Sequence, residues 1–180
     1  MRSDKLLNFL LFQLGWFGCV MSSAAGQPLV GSAVAAAIIG WHLWRAQQPT
    51  REFYLILTAM LIGLVWDSLL VWQAWLHYPA GMLLPHIAPY WIIIMWALFA
   101  TTLNLSLRWL KQHMILAIVF GAIAGPLAYY GGARLGAVDF VQPAYAFLAL
   151  TIGWAVFTPL LVRLSNRFDG YAVLSQRYGR

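Results

Sequence analysis

Residues 61–75 read LIGLVWDSLLVWQAW, an apolar and aromatic run with a carboxylate, Asp67, set in its middle. A carboxyl group in such surroundings can handle a proton, hold a polar ligand, or tie helices together by hydrogen bonds. The stretch carrying it starts near Arg51. At 1.5 Å per residue Asp67 then lies about 6 Å past a midpoint near Gly63, still inside a bilayer's hydrocarbon. A charge there costs about 3 kcal/mol or more, so the group must be paired, hydrated or protonated. Gln13 and Trp16 of the first apolar segment, Tyr129 of the fifth, and Tyr145 or Thr151 of the sixth fall at similar depth, and each can hydrogen-bond a carboxyl. Arg134 is the one cation on that side, with a side chain long enough to turn toward Asp67 or toward Asp139.

Other candidates carry weaker signals. Tyr90, Ile94, Ala97, Thr101, Asn104 and Arg108 recur at spacings of three and four and would share one helical face. On that face Thr101 and Asn104 can bond a neighbouring helix or line a ligand site, and Arg108 reads as an interfacial anchor. Gly121, Gly125, Ala128, Gly132 and Gly136 form a row of small residues that would let another backbone approach closely. Pro126 and Pro159 each remove a helical hydrogen bond, freeing the carbonyls of Ala122 and Ala155. His77 and His86 flank one loop without a clear third ligand, and His42 and His113 lie toward the opposite side, so no metal site is expected. Cys19 is the only cysteine and excludes an internal disulfide. There is no histidine box, nucleophile element, paired aspartate or phosphate-binding glycine loop. Asp169-Gly170 lacks the further acidic residues of a phosphotransferase, and no cofactor is expected.

These residues must be positioned by membrane helices. The chain has 180 residues, 62% hydrophobic and 9% charged, where soluble domains carry about 25% charged residues. Six segments are long and apolar enough to span: about 5–25, 28–46, 51–76, 88–110, 113–133 and 142–164, followed by a short basic tail at 165–180. The expected fold is an all-α, polytopic six-transmembrane-helix bundle in a single domain. With alternate loops on opposite sides, all 11 basic residues except Arg134 fall on one side, which the positive-inside rule makes cytoplasmic, together with both termini. The net charge of +6 comes from basic residues scattered in ones and twos, so no nucleic-acid partner is expected. The first segment can also be read as a signal peptide ending near Ser23-Ala24-Ala25, but its length and its Asn8, Gln13 and Trp16 favour a retained helix. Three spans on either side of the loop at 77–86 would make two halves of opposite topology, supported only by SLLV (68–71) against PLLV (159–162).

The blocks LLNFLLFQLGWF (6–17), LIGLVWDSLLV (61–71), WALFATTLNLSLRWL (96–110) and GPLAYYGGARLGAV (125–138) together resemble the bacterial inner-membrane family catalogued as domain of unknown function 2878. The resemblance covers nearly the whole chain. It implies a multi-span protein of the bacterial inner membrane, placed beside enzymes that modify membrane fatty acids, with membrane lipids and such an enzyme as partners. The expected function is a non-catalytic accessory or amphiphile-binding or transport protein linked to membrane-lipid modification, with a polar core of Asp67, Gln13, Thr101, Asn104, Arg134 and Tyr129. Two alternatives stand beside it: an intramembrane enzyme using Asp67 as general acid or base, and a purely structural subunit packed through Gly121, Gly125 and Gly132. A cavity reaching Asp67 favours binding or catalysis; an Asp67 sealed by helix contacts favours structure.

Overall fold

The computed structural model describes residues 2–172, and Arg177 and Arg180 of the basic tail lie outside them. Six α-helices follow in order: α1 (Arg2–Ala24), α2 (Pro28–Arg45), α3 (Pro49–Trp72), α4 (Tyr90–Leu103), α5 (Met114–Arg134) and α6 (Pro143–Arg167). Three of them start at a Gln-Pro pair. Gln27, Gln48 and Gln142 sit outside the helix, and Pro28, Pro49 and Pro143 take its first position, where a missing N–H has no helical partner to lose.

Four helices are long and apolar enough to cross a membrane: Ser3–Ala24, Pro49–Trp72, Met114–Arg134 and Pro143–Arg167. Their outward faces carry Leu61, Val65, Ile115, Leu127 and Leu148, all more than half exposed, as expected of a surface covered by lipid. The central helix is α4, buried along most of its length. On one side α1 and α2 pack together against it, and on another α3 runs beside it. The α5/α6 pair closes the bundle, with α6 touching α3 and α4.

The fourth apolar stretch, read as 88–110, is helical only over Tyr90–Leu103, about 21 Å at 1.5 Å per residue. It then turns through Asn104–Leu107 into a 3-10 segment, Arg108–Gln112. Thr101 and Thr102 donate their hydroxyls to the carbonyls of Leu98 and Phe99, and the Asn104 amide is drawn to groups outside the helix. Such side-chain bonds compete with the helical ladder and end it. Asn104 and Arg108 therefore do not continue one helical face with Thr101; instead Arg108 Nη1 donates to the Asn104 carbonyl at 3.0 Å.

Tryptophans seat on glycines of facing helices. A Cβ on Gly63 would strike the Trp96 indole, one on Gly125 the Trp154 indole, and one on Gly153 the Trp66 ring. Gly121 of α5 lies against the Trp154 carbonyl and the Thr158 hydroxyl of α6, while Gly132 faces Val138 in the loop that follows α5. Gly63→Ala is expected to destabilise by about 1–3 kcal/mol, the usual range for overpacking, because Trp96 is stacked on Trp154 at 4.5 Å and cannot retreat. Thermal unfolding in detergent measures it, and an unchanged midpoint would disprove the tight fit.

At one end of the bundle the loops after α3 and α5 meet in a two-residue antiparallel ladder, β1 (Leu76–His77) with β2 (Asp139–Phe140). There His77 Nδ1 lies 3.2 Å from Asp139 Oδ2. At the other end Arg45 pairs with Asp4 at 3.3 Å, and Phe168–Tyr171 fold back over the turn between α2 and α3. Both Gln47 and Gln48 N–H groups donate to the Gly170 carbonyl. The N-terminal end of α1 and the C-terminal end of α6 thus share one end of the bundle.

Candidate functional site

Asp67 has no exposed surface. It sits on α3 facing α4 and α5, and three donors close on its two oxygens. Trp96 Nε1 donates to Oδ2 at 2.7 Å, while the Tyr129 and Tyr78 hydroxyls donate to Oδ1 at 2.6 and 3.1 Å. The donors come from α4, α5 and the loop after α3, so one carboxyl joins four parts of the chain. An indole N–H only donates, which makes Oδ2 an unprotonated oxygen, and any proton held by the group belongs to the Oδ1–tyrosine side. Among the described residues no cation takes part.

Behind two of those donors lies a cavity of about 450 Å³. It occupies the space between α1 and α5, which touch little, and has α4 and α6 as its floor. Phe9, Phe12 and Trp16 of α1, Trp91, Trp96 and Phe99 of α4, Phe120 of α5 and Trp154 of α6 make its walls largely aromatic. Phe9 and Leu127, on its rim, are about half and well over half exposed, so the cavity is a groove open sideways to the surroundings of the bundle. On α5 it runs from Phe120 to Gly132, about 18 Å at the helical rise. Trp96 and Tyr129 are shared between groove and carboxyl: one edge of each faces the cavity while its polar atom is fixed by Asp67. Asp67 itself does not line the groove.

The polar groups of the groove divide into two kinds. The Thr102 hydroxyl is bonded to a helix carbonyl and the Ser106 hydroxyl to Asn8 Oδ1 at 2.6 Å. Gln13, half-buried on α1, makes no hydrogen bond to a described residue. Thr158 Oγ1 on α6 is buried without a partner among the described residues, and Trp154 Nε1 is buried beside the Tyr129 hydroxyl.

Of the residues picked from the sequence, the structure brings Tyr129 onto Asp67 and places Gln13 and Trp16 along the groove beside it. Thr101 is turned to its own helix, Tyr145 stacks on Trp75 at 5.8 Å, and Thr151 and Arg134 are exposed. Arg134 reaches neither Asp67 nor Asp139. Asn104 belongs to a second buried cluster at the opposite end of the bundle, which sequence reasoning missed.

That cluster centres on Glu52 in the first turn of α3, fully buried. His42 Nε2 lies 2.8 Å from its Oε2, while Asn104 Nδ2 and the Gly170 N–H donate to Oε1 at 2.6 and 2.7 Å. Asp169 accepts from Arg108 at 2.6 Å and from Lys111 at 2.8 Å. The Lys111 ammonium also donates to Asn104 Oδ1. Burial pushes Lys111 below the usual lysine value, with Asp169 opposing that shift. The Tyr171 hydroxyl donates to the His42 carbonyl at 2.6 Å. The charged groups described here are satisfied by protein, which suits a latch for the C-terminal segment. Among the described residues no group of His, Cys, Asp or Glu is placed to hold a metal ion.

The family described as Protein of unknown function (DUF2878) matches residues 5–160. The chain belongs to this family. The match takes in the Asp67 cage, the groove and Glu52 of this DUF2878 protein, and stops before Phe168–Tyr171. No curated protein and no solved structure matches the chain.

Proposed function

We propose that this DUF2878 protein crosses the bacterial inner membrane six times with both termini in the cytoplasm, and that it binds a lipid-like amphiphile in the groove between α1 and α5. The observation that carries the binding reading is the groove itself: about 450 Å³, aromatic-walled, laterally open, with half-buried Gln13 among the residues that line it. Ligand sites are largely apolar concavities with a small number of placed polar groups. The orientation rests on the distribution of basic residues, because Arg45, Arg51, Arg108 and Lys111 all sit at the end holding α1's start. In this role the protein is a non-catalytic accessory to membrane-lipid modification, holding a chain for an enzyme beside it.

An acid–base enzyme centred on Asp67 has less support. Both oxygens of that carboxyl are already engaged and Asp67 does not line the groove, whereas a general base must reach the proton it removes. Asp67 instead acts as a positioning residue for Trp96 and Tyr129.

Native mass spectrometry of the purified protein tests the reading. The wild type is expected to carry a co-purifying lipid-like molecule. Ala128→Trp, which fills the groove from α5, is expected to lose it while keeping its helix content. Equal retention by both proteins would overturn the binding reading.

A further inference from the structure

Gln13 is the middle residue of α1, and it lines the groove together with Phe9, Phe12, Trp16 and Val20 of the same helix. Phe9, Gln13, Trp16 and Val20 follow one another at spacings of four, three and four, so they share one helical face with Gln13 inside the row. Another side of α1 carries Gly15, set against Leu98 and Ile38, and the buried Cys19, and this side packs into the bundle. The Gln13 side chain therefore leaves α1 on the groove side. It is half-buried, hydrogen-bonds no described residue, and its amide is not among the polar groups sealed inside the bundle.

An amide at mid-helix in a membrane bundle is costly unless something bonds it. The other carboxamides inside this bundle have partners: Asn8 donates to the Thr101 carbonyl and accepts from Ser106, and Asn104 donates to Glu52. The groove's remaining polar side chains are engaged or closed off. The Thr102, Ser106 and Tyr129 hydroxyls are given to protein acceptors, and Thr158 is covered by Gly121. The lining holds no Lys, Arg, His, Asp or Glu, so a charged group would enter it without a counter-charge. What suits Gln13 is an uncharged oxygen. Its position along the slot adds a second condition. Phe9 lies about 6 Å to one side of it and Val20 about 10 Å to the other at the helical rise, and the α1 lining is apolar on both sides. A head group at the end of a chain would lie past these residues, whereas an oxygen within the chain would meet the amide.

We propose that the groove selects a lipid chain bearing an uncharged oxygen within its length, a carbonyl, ether or hydroxyl, and that the Gln13 amide bonds this oxygen. The amide can donate to a carbonyl or ether and accept from a hydroxyl. An unmodified chain fills the same slot but leaves the amide without a partner, which makes Gln13 the specificity-determining residue. This inference rests on the groove being an amphiphile site, and names the kind of chain it prefers.

The test uses full-length protein in phospholipid nanodiscs, labelled by octadecanoate carrying a diazirine in its chain. Competitors are octadecanoate, 10-oxooctadecanoate and 17-oxooctadecanoate, which share one head group and differ in the chain alone. The variants are Gln13→Leu and Ala128→Trp. In the wild type 10-oxooctadecanoate is expected to displace the label at concentrations about tenfold lower than octadecanoate, roughly one well-placed hydrogen bond. With its oxygen at the chain end, 17-oxooctadecanoate should compete as octadecanoate does. Gln13→Leu is expected to abolish the tenfold preference while octadecanoate competes unchanged, which also reports that the groove is intact. Its thermal stability should match or exceed that of the wild type, because the deleted amide bonds no described residue. Equal competition by 10-oxooctadecanoate and octadecanoate in the wild type overturns the inference. So does a preference that survives Gln13→Leu, or one that 17-oxooctadecanoate shares. In each of these cases the groove reading stands provided Ala128→Trp blocks labelling. Labelling that persists in Ala128→Trp overturns the groove reading and this inference with it.

Discussion

Replacing Asp67 by alanine is expected to lower the stability of the protein by about 3–5 kcal/mol, whereas asparagine at the same position should cost about 1 kcal/mol. The difference follows from the three donors. Alanine leaves the Trp96 N–H and the Tyr129 and Tyr78 hydroxyls without their acceptor in a site with no access to solvent, and each unsatisfied buried group costs about 1–3 kcal/mol. Part is recovered because the hydroxyls can rotate. Asparagine can present its oxygen to Trp96 and its amide hydrogens to the two phenol oxygens, which accept as well as donate. Thermal unfolding in detergent and lipid retention by mass spectrometry together check this. An Asp67→Asn protein that is stable and still loaded would remove acid–base chemistry at this position. An Asp67→Asn protein that is stable yet empty would show that the carboxylate does more than hold the walls of the groove.

How much of this site was legible beforehand differs from residue to residue. Asp67 announces itself, because a carboxylate amid apolar residues has to be explained, and Tyr129 follows from depth along a helix. Trp96 does not stand out among the 10 tryptophans, since nothing in a hydropathy profile tells an indole that donates into the core from one that faces lipid. Tyr78 reads as an interfacial aromatic, and reaches Asp67 only because the loop after α3 folds inward, where Trp91 also donates to the Ala80 carbonyl. The groove is a property of which helices fail to touch, and spacing along one helix carries no information about that. The end of α4 was hidden for another reason. Leu105, Leu107, Trp109 and Leu110 carry the apolar run on past Leu103, so the hydropathy runs on while the helical hydrogen bonding does not. Glu52 gave no warning, because an acidic residue in a helix's first turn is ordinarily an exposed complement to the helix dipole. Only the return of Phe168–Tyr171, more than a hundred positions later, buries it.

That burial gives the second large effect. Glu52→Ala removes the shared acceptor of the Asn104 amide and the Gly170 N–H and the partner of His42, and breaking a buried pair from one side typically costs about 3–5 kcal/mol. The loss should not be uniform. The Gly170 carbonyl still accepts from Gln47 and Gln48, and Asp169 still holds Arg108 and Lys111, so the first consequence is a loosened C-terminal segment. Glu52→Gln keeps an oxygen for Asn104 and Gly170, and its amide can donate to His42 when that ring nitrogen is unprotonated, so its cost should stay near 1 kcal/mol. Limited proteolysis after Arg163 or Arg167, read beside the unfolding midpoint, separates the two variants. Faster cleavage of Glu52→Ala with Glu52→Gln close to wild type is the expected pattern. Equal protection of all three proteins would mean that Asp169 and the backbone bonds of Gly170 hold the segment without Glu52.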